Sequence, residues 1–223
     1  MGVLIFLLKA YMILLMFILL MYLIRHYFFT LNRAFGKQRL YYQDVLDEDL
    51  PTVSVLVPMH NEEKVARYIL DLLVEADYPK EKLEIIPIND HSTDRTKEIL
   101  DEYAQKYSFI KPLHRYGDLP RGKQNGLNDA LKIAKGEVII VYDADYLPPK
   151  GQIRTLAVAF KDPQVGAVMG RVVPINTGKN LLTRLLDIER TGGYQVDQQA
   201  RYNLGLIPQY GGTVGGFRKD IVI

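Results

Sequence analysis

Glu137-Val138-Ile139-Ile140-Val141-Tyr142-Asp143-Ala144-Asp145 is the stretch that decides how this chain folds. Its first six residues form a short apolar run of the kind that a parallel sheet covers on both faces. The run gives way to two carboxylates one residue apart. Ligands of such sheets bind beyond the carboxyl ends of the strands, so these acids stand where a site would be. Two carboxylates so close repel each other and lose solvation unless a cation or hydrogen-bond donors compensate. Asp-x-Asp suits Mg²⁺ or Mn²⁺, hard ions that take oxygen ligands and are commonly shared with substrate phosphates. Taken alone, the tripeptide also fits a solvated strand-end turn.

On the amino side the pattern repeats. Residues 52–58 read as a strand, followed by a helix from about 61 to 76 that Asp77-Tyr78-Pro79 stops. A second strand, 83–89, ends at Asp90, and Ser92 or Thr93 can cap the next helix, which should reach about Tyr107. A short strand at 109–113, a glycine-bearing loop Arg121-Gly122-Lys123 and a helix from about 124 to 134 lead back to the opening stretch. Strands alternating with helices of this length imply βαβ units and a mainly parallel α/β sheet. Pro87 cannot donate to a ladder, which predicts a bulge there or a place near the sheet edge. Beyond Pro149 the pattern predicts a helix over 151–160, a strand-like run over 165–173 and a longer helix over 181–202. Then comes Gln209-Tyr210-Gly211-Gly212-Thr213-Val214-Gly215-Gly216-Phe217-Arg218, whose glycines mark a tight turn or the close approach of a ligand.

The amino terminus is of another kind. Residues 3–24 are apolar apart from Lys9, enough for a helix to span a hydrocarbon core of roughly 30 Å. Lys9 is close enough to the end to snorkel toward the head groups. The stretch is too long for a cleavable signal peptide, and no small-residue cleavage site follows Ile24. Arg25, His26, Arg33, Lys37 and Arg39 follow the helix and nothing before Lys9 is basic, which predicts a cytoplasmic location for the rest of the chain. The absence of cysteine agrees with that compartment. A net charge of +2, with no basic stripe interleaved with aromatics, argues against nucleic acid as a partner. The expected organisation is a transmembrane anchor at 1–25, an interfacial segment and acidic linker at 26–50, and an α/β domain at 51–223.

If the strands run parallel, residues 58–62, Asp90 and 143–145 face one crevice from three separate segments. At this point Val-Pro-Met-His-Asn-Glu (57–62), Ile-Asn-Asp-His-Ser-Thr-Asp (88–94), Gly-Lys-x-x-Gly-Leu-Asn (122–128) and Asp-Ala-Asp (143–145) resemble, in order, the motifs of family 2 glycosyltransferases, which are inverting enzymes with a GT-A fold. The terminal glycine-rich segment resembles that of the membrane-bound branch containing cellulose, hyaluronan and poly-N-acetylglucosamine synthases. The resemblance implies a nucleotide-diphospho-sugar donor, with a UDP-sugar expected, a polysaccharide or lipid-linked acceptor, and Mg²⁺ or Mn²⁺. It implies that Asp90 pairs with the nucleotide base, although Asn89 and His91 depart from the family's Asp-Asp-Gly-Ser. Pro58 and Glu62 would line the nucleoside pocket and Lys123 would stand beside the donor phosphates. Asp143 would sit near the ribose or the metal, and Asp145 would bind the metal. Gly212, Thr213, Gly215 and Gly216 would form the acceptor-side loop.

His60, His91 and His114 match no catalytic base of the family and read as polar loop residues. Inversion needs a base for the acceptor hydroxyl; the resemblance implies an Asp in a Thr-Glu-Asp or Glu-Asp segment a few dozen residues beyond the glycine-rich loop, past Ile223, and the Gln-x-x-Arg-Trp motif of the processive branch is absent too. The expectation is therefore that this chain is the amino-terminal portion of a longer enzyme, with the base beyond Ile223; the alternative is a non-catalytic membrane-tethered nucleotide-sugar-binding fragment or remnant.

Overall fold

A computed structural model describes residues 2–36 and 46–222. In chain order it contains α1 (Gly2–Phe35), β1 (Val53–Met59), α2 (Ala66–Val74), β2 (Leu83–Asp90), α3 (Thr96–Lys106), β3 (Leu113–Arg115) and α4 (Lys123–Ile133). There follow β4 (Val138–Tyr142), α5 (Gln152–Val158), β5 (Ala167–Met169), α6 (Leu181–Thr191), α7 (Gln199–Asn203) and β6 (Val214–Arg218). The described residues divide into two compact units, one within 1–40 and 173–209, the other within 41–172 and 210–223. Residues 37–45 of the interfacial segment and acidic linker expected at 26–50 lie outside the described residues.

The larger unit is a six-stranded sheet of order β3-β2-β1-β4-β6-β5. β1 pairs in parallel with β2 and β4, and β3 in parallel with β2, while β6 runs antiparallel to both β4 and β5. Alternation along β1 sends Val53, Val55 and Val57 into a core with Ile69, Leu73, Leu100 and Ile153, and Leu56 into a second core with Ile86, Ala130 and Ile139. Both faces are thus covered by helices, as the apolar strands require.

Several local expectations are corrected. α2 begins at Ala66 rather than near Asn61, because Asn61 holds a left-handed φ of 57° and its side chain accepts from the Thr93 N–H at 2.8 Å. The cap of α3 is not Ser92 or Thr93: Asp94 accepts from the N–H and hydroxyl of Thr96. Pro87 makes no bulge, since β1–β2 pairing is unbroken from Leu83 to Asn89, but β2 does lie near the sheet edge, next to the edge strand β3. The gap faces β3. Ile85 donates to Phe109 and accepts from Lys111, each at 2.8 Å, and Pro87, on the same side two residues on, offers no N–H, so named pairing resumes only at Ile88↔Leu113. The short strand accordingly lies at Leu113–Arg115 rather than 109–113. The glycine-rich segment is no loop at its second half: Gly215 and Gly216 lie in β6 opposite Val141 and Ile140.

The amino end of the sheet is tied by a buried polar cluster. Glu84 accepts from Ser54 Oγ (2.8 Å), Lys135 N–H (2.9 Å) and Lys111 Nζ (2.9 Å), while Ser54 Oγ accepts from Gly136 N–H at 2.8 Å. Burial pushes the Glu84 carboxyl up, but Lys111, the Lys135 N–H and Ser54 outweigh it and hold its pKa below the ordinary value.

In the smaller unit the helical run 181–203 is continuous but opens into a π-helix at Gly192–Gln198 rather than forming the single α-helix predicted, and α1 packs on that π-helix and on α7. Asp197 pairs with Arg25 and with Arg201, and Asn203 donates to Asn32 at 3.1 Å. Among the described residues α1 is long and apolar enough to cross a membrane.

At Gly136 a Cβ would stand 2.3 Å from the Ser54 nitrogen and 2.6 Å from the Val53 carbonyl carbon. Gly136→Ala should therefore destabilise the chain by roughly 1–3 kcal/mol or more in chemical denaturation. Gly151→Ala, with nothing within 4 Å, should leave the midpoint in place.

Candidate active site

β1, β2 and β4 are parallel neighbours, so Met59, Asp90 and Tyr142 end on the same edge. Beyond that edge lies a cleft of about 480 Å³ lined by Pro58, Met59, His60, Glu62, Ile88, Asp90, Arg121, Gly122, Lys123, Gly126, Asp143, Ala144 and Asp145. All six residues assigned to nucleotide and metal from the sequence, Pro58, Glu62, Asp90, Lys123, Asp143 and Asp145, line it. Of the glycine-rich segment, Gly212 reaches it only through its carbonyl, which accepts from Lys123 Nζ at 2.8 Å. Thr213 contributes a backbone carbonyl that accepts from the Asp143 N–H at 3.0 Å. Gly215 is covered by the Tyr210 ring, and Gly216 faces Phe160 and the Ile139 carbonyl.

Asp90 is the most constrained of these groups. It is buried, and its Oδ1 accepts from Arg115 Nη1 at 2.6 Å and lies 2.8 Å from His91 Nδ1, while Oδ2 accepts from the Gly122 N–H at 2.7 Å. Burial works to raise its pKa, but the Gly122 N–H, His91 and Arg115 together outweigh it and hold the carboxyl below its ordinary value. Gly122 can offer that N–H because it takes a φ of 115°, which a side chain would oppose.

Asp143 and Lys123 form an ion pair across the mouth of the cleft. Asp145 is exposed, and Glu62 lies near it: burial first, then the negative charges of Asp145 and Asp94, push the Glu62 carboxyl up. A cation beside Asp145 would relieve that repulsion. No group of three or more His, Cys, Asp or Glu side chains that could hold a metal alone occurs among the described residues. A pair of carboxylates nevertheless fits Mg²⁺ or Mn²⁺ when the rest of the coordination comes from water and substrate phosphates.

Sequence reasoning missed Arg115 and the burial of His91. Arg115, 1% exposed, also donates to Asp129 (2.9 Å) and to the Pro120 carbonyl (2.8 Å). A third parallel strand placed two residues later would have aligned Arg115 with Asp90, its partner in the ladder. His91 lies in the turn between β2 and α3 as expected, but it is buried there at φ 58°, its ring set between Asp90 and the Gly117 carbonyl. The left-handed φ explains why a glycine is the residue expected at this position of the resembling motif. His60 Nδ1 lies 2.7 Å from the Asp90 carbonyl oxygen, and His114 sits between Asn89 and Asp101.

Comparison with known proteins identifies the family and the fold. The chain is 40% identical over 177 residues to the probable glycosyltransferase YdaM of Bacillus subtilis, covering 78% of this chain and 42% of the relative. It is 35% identical over 155 residues to a beta-monoglucosyldiacylglycerol synthase of Nostoc sp., covering 70% and 33%. The chain thus spans less than half the length of these curated relatives. Among solved structures, the mannosyltransferase PcManGT from Pyrobaculum calidifontis, in complex with GDP-Man and Mn²⁺, superposes with a TM-score of 0.69 at 25% identity, covering 91% of this chain and 52% of that one. The family model for Glycosyl transferase family 2 matches residues 54–222, so the larger unit has the GT-A fold and the chain belongs to glycosyl transferase family 2.

Proposed function

We propose that the chain binds a nucleotide-diphospho-sugar, with UDP as the nucleotide, in the cleft beyond β1, β2 and β4, and serves inverting transfer of the sugar to a polysaccharide or lipid-linked acceptor at the cytoplasmic face of a membrane. The observation that carries this reading is the gathering of Asp90, Lys123, Asp143 and Asp145 around one cleft. Asp90, held anionic by its donors, presents an acceptor edge to the N–H of a base. Lys123 places an ammonium beside the site of the diphosphate. Asp143 and Asp145 would hold Mg²⁺ or Mn²⁺ together with that diphosphate, and the ion would neutralise charge on the leaving nucleotide. The archaeal mannosyltransferase, solved in complex with GDP-Man and Mn²⁺, supports a nucleotide sugar with a divalent ion. The name of the Nostoc relative supports a lipid acceptor. The acid-free α1 followed by Arg25, His26 and Arg33 supports a membrane span with the larger unit on the cytoplasmic side.

Calorimetric titration of the folded, detergent-solubilised chain tests the reading. UDP should bind more tightly with Mn²⁺ than without, and Asp145→Asn should weaken the metal-dependent complex by on the order of tenfold, about 1.4 kcal/mol. Binding of neither UDP nor GDP, or binding indifferent to Mn²⁺ and to Asp145→Asn, would overturn it. Lys123→Met should weaken UDP by about tenfold and leave uridine unchanged, because the ammonium serves the phosphates and not the base.

The Asp90 cluster also sets a pH dependence. Because the folded pKa of Asp90 is depressed, its contribution is present above the unfolded value and is lost as pH falls through the folded one. Thermal melts should therefore show a loss of stability below about pH 4 in the native chain. Asp90→Asn should lack that component and melt lower at neutral pH.

A further inference from the structure

We propose that Asn89 and His91 are positioning residues for the donor diphosphate, which act by tying the loop 116–122 to the end of β2; the inference rests on the reading of the cleft as a nucleotide-sugar site. Every residue of that loop is exposed, so no buried apolar side chain holds it and hydrogen bonds decide where it lies. Its far half is fastened by Arg115, which donates to the Pro120 carbonyl, and by Asp90, which accepts from the Gly122 N–H. Its near half has two ties of its own. Asn89 Nδ2 donates to the Tyr116 hydroxyl at 2.6 Å, and His91 Nε2 donates to the Gly117 carbonyl at 3.2 Å.

Both anchors are buried and held from more than one side. Asn89 Oδ1 accepts from the Ser92 N–H at 3.2 Å, so the amide that reaches Tyr116 cannot turn without losing that bond. His91 keeps its φ of 58° although a Cβ disfavours that region, and strain of this kind persists only where the surroundings fix it. The fixing contacts are Asp90 at one end of the ring and Gly117 at the other. Asn89 and His91 are also the two residues of 89–92 that depart from the resembling motif, and both departures reach the same loop. That loop runs into the cleft, whose lining includes Arg121, Gly122 and Lys123. A loop untied at Tyr116 and Gly117 would let the cations of Arg121 and Lys123 drift from a diphosphate. Arg115 would still donate to Asp90, so contact with the base should survive.

The full chain in detergent is compared with Tyr116→Phe and His91→Gly. Tyr116→Phe removes one hydroxyl from an exposed ring and should leave the melting midpoint in place, while His91→Gly supplies the residue that a left-handed φ suits. Each should speed amide hydrogen exchange over 116–122 and weaken UDP by about fivefold, with uridine bound as before. If His91→Gly does not fold, Tyr116→Phe decides alone. UDP affinity retained by either folded variant overturns the inference and leaves the UDP reading standing. Uridine weakened as much as UDP means that the ties serve the base, and overturns it as well. So does weaker UDP with exchange over 116–122 unchanged. A native chain that binds no UDP overturns the proposed function and the inference together.

Discussion

The buried carboxylate of Asp90 constrains everything at the carboxyl edge of the sheet. A charge taken out of water must be met by donors, and here the donors come from β3, from the β2–α3 turn and from the start of α4. Arg115 is in turn spent on Asp129 inside α4 and on the Pro120 carbonyl before it. One carboxylate therefore fixes the register of β3, the first turn of α4 and the loop between them. Lys123 follows Gly122 directly, so its reach to Asp143 depends on the same bond that helps to hold the Asp90 anion.

The sheet separates two kinds of polar burial. At its amino end Glu84, Ser54 and Gly136 join β1, β2 and the turn before β4, and every partner belongs to the protein itself. At its carboxyl end the acids are placed with unequal fates: Asp90 is held by three protein groups, Asp143 shares an ammonium, and Asp145 is exposed near Glu62, whose carboxyl burial and neighbouring negative charge push up. The first cluster contributes fold, and the second leaves charge for a ligand to complete.

How much of this could be read from residues alone varied with physical cause. β1, β2, β4 and their helices were legible because continuous apolar runs alternate with helical periods, and Pro58, Glu62, Asp90, Asp143 and Asp145 were legible because parallel strands must end together, whereas Lys123, at the start of α4, rested on the resemblance alone. The antiparallel placement of β6 was not, since four glycines in six residues carry no periodicity. Arg115 was hidden because a three-residue strand broken from its neighbour by Pro87 has too little pattern to be registered. The late start of α2 was hidden because Asn61 and Glu63 are recruited across the chain by Thr93 and Asp94, contacts no local propensity encodes.

Lys123 holds two partners at once, the carboxylate of Asp143 and the carbonyl of Gly212. A phosphate that draws the ammonium toward itself must compete with both, and whatever it wins from Gly212 is constraint removed from the segment leading into β6. One ammonium therefore couples the end of β4 to the segment leading into β6, so that a displacement on either side is felt on the other.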